Sequence, residues 1–458
     1  MSALKYYDST TGTWKYLAQG VKGDKGEKGD TGPTGPTGPA GPAGGVLSVD
    51  GLTGAVSLTS SYDAKGTSAL KAKFEGMLAT IKGPTGAIPA ANTSLITSTS
   101  STAISGATVY AYNSGKFYFR GLNATTYTNG SGTTYYRNNS TLNTSYNPYW
   151  VEFDYYGSNF DIRFNREKTL GSQIWVWIDG VPVSSTAATP TPTVNTDAFY
   201  QVVLPSTKQR RVRICLANAD FGGIGTSSAS DTIFPVQQSL LKVALFDGSW
   251  FAGGAGNATN IANFLAVQLG EMLNVDYYNV AVSSTGYVRG TGTDVILGTV
   301  TDATAGGPNW CDNSRLSVLS SINPDLVIFL GTTNDDNFTD PSYQLGAHAT
   351  YCYNWIATNL PNTKIVVFTR GSNTDENTDN LANATAVFNA ASAASNVIGV
   401  VNIYGEGWIT GAQNDSNPTG TLGNGRIYIA SDLHLNNLGN QYYASRMCSR
   451  VSNIIQTY

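Results

Sequence analysis

The chain has 458 residues and a formal net charge of −4; 50 of the residues are glycine, against about 32 at a background near 7%, and charged residues make up only 13%. Hydrophobic residues at 41%, with 26 Tyr and 8 Trp, exclude a disordered chain, and glycine far below one-third excludes a collagen along the whole length. The 27 Lys and Arg are scattered under an acidic balance, which argues against a nucleic-acid partner, and no apolar run reaches the ~18 residues of a membrane span. At roughly 150 residues per domain the length suggests about three domains. The opening residues, MSALKYYDSTTGTW, hold no apolar run, so no secretory signal is expected. Cys215, Cys311, Cys352 and Cys448 are far apart and share no CxxC spacing, and are read as free thiols of a chain made in a reducing cytoplasm. Two histidines and no cysteine pair give too few clustered ligands for a metal, and no phosphate-binding glycine loop is present, so no cofactor is expected.

Residues 1–19 are short and aromatic (Tyr6, Tyr7, Trp14, Tyr16), too few for a core, and suit a strand pair or an anchor docking onto another protein. Within 20–45, Gly recurs at every third position from Gly20 to Gly44. A flexible linker has no reason to keep strict period three, whereas three wound chains admit only Gly at their axis. Lys-Gly-Asp and Lys-Gly-Glu runs set opposite charges on neighbouring chains, and no Pro occupies the third position of a triplet, so the rod does not rely on hydroxyproline. Eight triplets make a rod of about 70 Å and imply a homotrimer. Residues 46–100 form a linker in which Val46–Val56 resembles a segment of phage tail fibres just before their distal domains. Within it, 66–81 has helical spacing (Leu70, Phe74, Met77, Leu78, Ile81), expected to pack about a trimer axis.

Residues 101–238 are expected to be a β-sandwich of jelly-roll type. Its strands are sought at Lys116–Phe119, Phe160–Phe164, Ile174–Ile178 and Val212–Leu216, and Asp179-Gly180 is a hairpin turn signal. The surplus of Tyr and Trp suits either sugar stacking or a core with trimer contacts. Residues 239–458 change character. Strands expected at Lys242–Phe246, Tyr277–Val282, Leu326–Leu330, Lys364–Thr369 and Val397–Ile403 alternate with helices at 257–273, 312–322, 342–359, 378–394 and 436–455. That alternation predicts a three-layer α/β, flavodoxin-like domain with its ligand groups at the carboxyl ends of the strands.

Four polar clusters fall at those ends: Asp247-Gly248-Ser249 after the first strand, Ser283 to Tyr287 after the second, Gly331 to Asp335 after the third, and Ser431 to Asn436 before the last helix. In these residues the sequence resembles the SGNH (GDSL-like) esterase family, named for blocks carrying Ser, Gly, Asn and His; the matching positions are Ser249, Gly286, Asn334 and His434. The resemblance implies a Ser249 nucleophile, His434 as general base and then acid, Asp432 as the orienting acid, and an oxyanion hole of the Ser249 and Gly286 N–H groups with the Asn334 amide. The pattern departs from the family in three places: the first block reads Asp247-Gly248-Ser249 where Gly-Asp-Ser is usual, Ser431 stands three before His434 where Asp is usual, and Thr332 stands where a second Gly is common. His348, in a helical pattern without polar neighbours, is read as structural. The region before the domain also resembles the jelly roll attached to some carbohydrate esterases of this family.

Together these point to a phage virion appendage, a tail or head fibre, made in the host cytoplasm and attached to other virion proteins through residues 1–19. It would display on three copies an esterase that removes O-acetyl groups from host-surface polysaccharide. The alternative is a fibre whose SGNH fold only binds glycans. A secreted cellular esterase on a collagen-like stalk is disfavoured by the missing signal.

Overall fold

Short apolar runs flanked by helical patterns build a parallel sheet in the C-terminal half. In the computed structural model these are β1 (Lys242–Phe246), β2 (Asp276–Asn279), β3 (Leu326–Leu330), β4 (Lys364–Phe368) and β5 (Val397–Val401), ordered β2-β1-β3-β4-β5. The structure describes residues 5–8, 10–11, 13–16, 48–49, 52–53, 67–84, 88–92, 96–100, 102–104, 108–138, 147–166, 171–238, 240–253, 260–331, 333–338, 342–369, 378–409, 428–429 and 434–458. The glycine repeat, Thr332 and Asp432 lie outside the described residues. Every residue of β3 is buried, which is why its run is apolar without alternation: helices cover both faces of a parallel sheet. The strand order reverses between β1 and β3, and in open parallel sheets ligands bind outside the carboxyl ends at such a switch point. The helices are α1 (Thr67–Thr80), α2 (Leu265–Leu273), α3 (Asn313–Ile322), α4 (Leu345–Asn359), α5 (Thr378–Ala393) and α6 (Asn437–Thr457).

Side chains fix where elements end. β2 stops at Asn279 rather than Val282, because the Asn279 amide donates to the Phe251 carbonyl (2.7 Å) and accepts from the Ala281 N–H (3.2 Å), turning the chain. α2 begins only at Leu265, after a 3-10 turn at Ile261–Asn263 capped by the Asn260 side chain.

The preceding region is an antiparallel sheet of eleven strands among the described residues, seven along one path and four paired off it. Its strands Tyr149–Arg166 and Asp197–Ala217 run much longer than the expected β segments inside them, and pair along nearly their full length with one register shift between Gly157 and Asn159. Asp179 (φ 53°) and Gly180 (φ 81°) form the expected tight turn joining Gln173–Ile178 to Val181–Pro182.

The two regions share one core. Trp150, Trp175 and Trp177 are at most 1% exposed and pack with Leu265, Leu269 and Tyr277 of the α/β region, so these indoles are core rather than sugar platforms. The expectation of α1 packing about a trimer axis is corrected in the same place. Its apolar face, Leu70, Phe74 and Met77, is buried in this chain's own core, and Lys73 binds Asp325 (2.7 Å) while the Lys82 N–H reaches the Met272 carbonyl (3.0 Å). A short amphipathic helix buries its stripe against whatever apolar surface is nearest, and here α2 and α6 supply it.

A buried ionic seam crosses the junction. Arg213 stacks on Trp150 (4.3 Å), donates to Glu271 twice (2.6 and 2.9 Å) and to Glu152 (3.1 Å), and Arg120 adds a bond to Glu152 (3.0 Å). Burial opposes ionisation of Glu271, but the Arg213, Arg120 and Lys82 cations outweigh it and hold the carboxyl well below the usual carboxylate range. Residues Met1–Leu58 form a separate unit with a strand pair, Lys5–Asp8 with Thr13–Tyr16, and a second, Ser48–Val49 with Leu52–Thr53. Among the described residues no helix is long and apolar enough to cross a membrane.

Candidate active site

Ser249 sits on the turn leaving β1, at the switch point between β1 and β3. The Asp247 carboxylate builds that turn by accepting the Phe251 N–H (2.7 Å). Burial raises the Asp247 pKa to about 7, although N–H groups of Phe251, Gly248 and Trp250 and the charge of Arg315 all favour the anion. The Trp250 ring meets Tyr443 of α6 edge-to-face at 5.0 Å, which docks the turn against the helix that follows His434. His434 is held by what comes next: Leu435 is buried and bridges Ile429, and the Asn436 side chain caps α6 through the Gly439 N–H (2.9 Å). A side chain at Gly439 would lie 2.1 Å from the Tyr428 carbonyl, so glycine permits this close crossing. The outcome is a hydrogen bond of 2.9 Å between His434 Nε2 and Ser249 Oγ, across 185 residues of sequence.

Asn334 lies in the 3-10 turn Thr333–Asp335 after β3. Its Nδ2 donates to the Thr285 carbonyl (2.9 Å), and its Oδ1 faces Arg289 Nη1 (3.5 Å), whose Nε is held by Asp302 (2.7 Å). The loop after β2 is thereby tied to the turn after β3.

Gly286 requires a correction. It was expected to lend its N–H to an oxyanion, but that N–H donates to the Arg289 carbonyl (3.0 Å). The residue is glycine for another reason: a Cβ there would lie 2.2 Å from the Asp335 carboxylate. Asp335 is buried and accepts the N–H groups of Tyr287 (2.8 Å), Arg289 (3.0 Å) and Val288 (3.2 Å), so it organises the whole loop. The main-chain N–H groups of Ser249 and Ser284, like that of Thr285, donate to nothing among the described residues. Ser284 holds a left-handed φ of 61°, a backbone state that its residue type does not announce.

Sequence reasoning thus missed Asp335, Arg289 and Ser284. The Asn334-Asp335 pair after an apolar strand was a visible signal for the first; nothing local marked the other two. His348 is buried, with Nε2 on Asp294 (2.8 Å) and Nδ1 on the Gln344 carbonyl (2.8 Å), a structural bridge between α4 and the loop after β2. The four cysteines are free and buried, with Cys311 and Cys352 sulfurs 3.0 Å apart. Among the described residues no group of His, Cys, Asp or Glu is arranged to hold a metal ion.

No family model matches the sequence, and no curated protein matches it. Solved structures do. A family two carbohydrate esterase from Cellvibrio japonicus superposes with a TM-score of 0.52 at 15% identity, covering 79% of this chain and 99% of its own. A salicylyl-acyltransferase from a tetracycline biosynthetic pathway gives 0.55 at 11% identity, covering 76% of this chain and 97% of its own. An acetyl xylan esterase from the rumen bacterium Butyrivibrio proteoclasticus gives 0.50 at 13%, covering 77% and 100%. The chain shares their fold, and the shares covered exceed what residues 239–458 alone could supply, so the likeness includes antiparallel residues.

Proposed function

We propose that the chain is a serine esterase that removes small acyl groups, O-acetyl foremost, from polysaccharide. The observation that carries this is the 2.9 Å contact of His434 Nε2 with Ser249 Oγ at the β1/β3 switch point. His434 takes the Ser249 proton as Oγ attacks the acyl carbon, and the C=O π electrons move onto oxygen. The oxyanion is met by the Asn334 amide and by the undonated N–H groups of Ser249 and Ser284, in place of Gly286. Collapse expels the sugar alkoxide, which takes the proton from the His434 imidazolium. Water, deprotonated by His434, then attacks the acyl-Ser249 ester; collapse breaks the acyl–Oγ bond, releases the carboxylic acid, and returns the His434 proton to Ser249 Oγ. Asp432 is assigned to orient His434, and it lies outside the described residues.

The setting we propose is a homotrimeric phage fibre: nine glycines at period three call for a three-chain rod, and three displayed sites gain avidity on a repetitive glycan. The likeness to an acetyl xylan esterase and to a family two carbohydrate esterase supports a carbohydrate ester as substrate. A glycan-binding head without catalysis is the second reading, favoured by the commitment of the Gly286 N–H to Arg289. Hydrolysis of p-nitrophenyl acetate by the purified chain separates the two. The esterase reading expects turnover that Ser249→Ala abolishes; no turnover, or turnover indifferent to that substitution, leaves the binding head.

A further inference from the structure

Arg315, on α3, is 1% exposed and has no ion-pair partner among the described residues. Its Nη1 donates to Thr285 Oγ1 (3.3 Å) and its Nη2 to the Val280 carbonyl (3.0 Å), while Nε has no partner at all. The guanidinium otherwise rests against the Phe246 ring, 4.9 Å from its centre. Burial lowers its pKa to about 9, which still leaves it charged at neutral pH. A buried cation without a carboxylate is costly, and an apolar side chain of similar length would serve packing better.

Its two bonds say what it does. They grip both ends of the Val280–Thr285 turn, the turn that includes Ser284. Thr285 Oγ1 also receives Trp310 Nε1 (3.3 Å) and donates to the Val282 carbonyl (2.8 Å), so its hydroxyl is saturated and its place fixed. The Thr285 carbonyl is in turn the acceptor that orients the Asn334 amide (2.9 Å).

We propose that Arg315 is a positioning residue for the esterase reaction, clasping the Val280–Thr285 turn, fixing the Asn334 amide through Thr285, and setting a positive charge without an ion-pair partner against Thr285, the residue after Ser284. This rests on the esterase reading above. Electrostatic preorganisation of this kind favours charge that develops only in the transition state, so its loss lowers kcat more than it alters KM.

The test is steady-state hydrolysis of p-nitrophenyl acetate and thermal unfolding of the full chain carrying Arg315→Met, Arg315→Lys or Thr285→Val. Arg315→Met is expected to lose about tenfold in kcat, less than the 10²–10³ typical of a direct oxyanion donor, with KM held within about twofold. Its thermal midpoint is expected to stay level or rise, which a merely structural arginine would not allow. Arg315→Lys should recover most of the lost kcat. Wild-type kcat in a folded Arg315→Met, or a Lys variant no better than Met, overturns the proposal. Should Arg315→Met not fold, Thr285→Val decides: a lowered kcat at constant KM supports the clasp and an unchanged kcat overturns it. Wild-type protein without turnover overturns the parent reading and this inference with it, whereas an active wild type beside an equally active Arg315→Met removes this inference alone.

Discussion

Arg213 and Arg315 are both buried, and they are treated in opposite ways. Arg213, at the seam between the antiparallel and α/β regions, is bound by Glu152 and Glu271 and stacked on Trp150. Arg315, behind the Ser249 cluster, meets only a hydroxyl, a carbonyl and a ring. The same division holds for the acids. Glu271, among cations, stays well below the usual carboxylate range, while Asp247, beside Ser249, is pushed up to about 7. Along the seam the molecule gives each of these buried charges a counter-charge. Where it is proposed to react, charge is left partly unmatched, the condition under which a protein can act on charge that appears in a substrate.

The sharpest way to break the contrast is at the seam. Glu271→Ala leaves Arg213 and its neighbours buried against fewer acids, and should cost about 3–5 kcal/mol in denaturant unfolding while kcat of the folded protein is retained. A loss of activity matching that of site variants would mean the two regions are not energetically distinct. At the site, Asn334→Ala should reduce kcat by about 10²–10³ with little change in unfolding free energy, the reverse signature.

Asp247 gives a smaller, pH-dependent effect. Its folded pKa of about 7 lies above the ordinary 3.8, so its contribution to stability is greatest below that ordinary value and is lost as pH rises to about 7. Asp247→Asn keeps the acceptor for the Phe251 N–H and removes the charge. Its thermal advantage over wild type should widen from about pH 4 to 7 and then level off; a constant offset across that range would show that Asp247 does not titrate there.

His348 gives the smallest. Burial disfavours its protonation, but the Asp294 carboxylate and the Gln344 carbonyl outweigh burial and hold its pKa above the ordinary 6.5. The stability it adds is therefore complete below about pH 6.5 and declines as pH rises through the folded value. His348→Gln should flatten that part of the stability–pH curve, measured by thermal melts from pH 6 to 9.

Much of the site was legible because its signals are local. A strand followed by Asp247-Gly248-Ser249, a strand followed by Asn334-Asp335, and His434 just before a capped helix each follow from sequence, and the sheet order brings them to one edge. Gly286 misled because glycine has two reasons to occupy a loop. Close approach by a substrate and room for a neighbouring carboxylate look identical in sequence, and Asp335, 49 positions on, was the actual cause. The apolar stripe of α1 misled in the same way: periodicity states that a face will be buried, not against what.

By itself the sequence determined the period-three glycine stretch, the alternation of strands and helices after residue 239, and the residue types that a serine esterase needs, because these depend on spacing along the chain. Only the tertiary structure decided that Arg213 is paired and Arg315 is not, that Gly286 serves Asp335, and that α1 belongs to the chain's own core. Those outcomes depend on which distant groups share a buried space, and burial sets the energy of a charge or an N–H by its neighbours in space rather than in sequence.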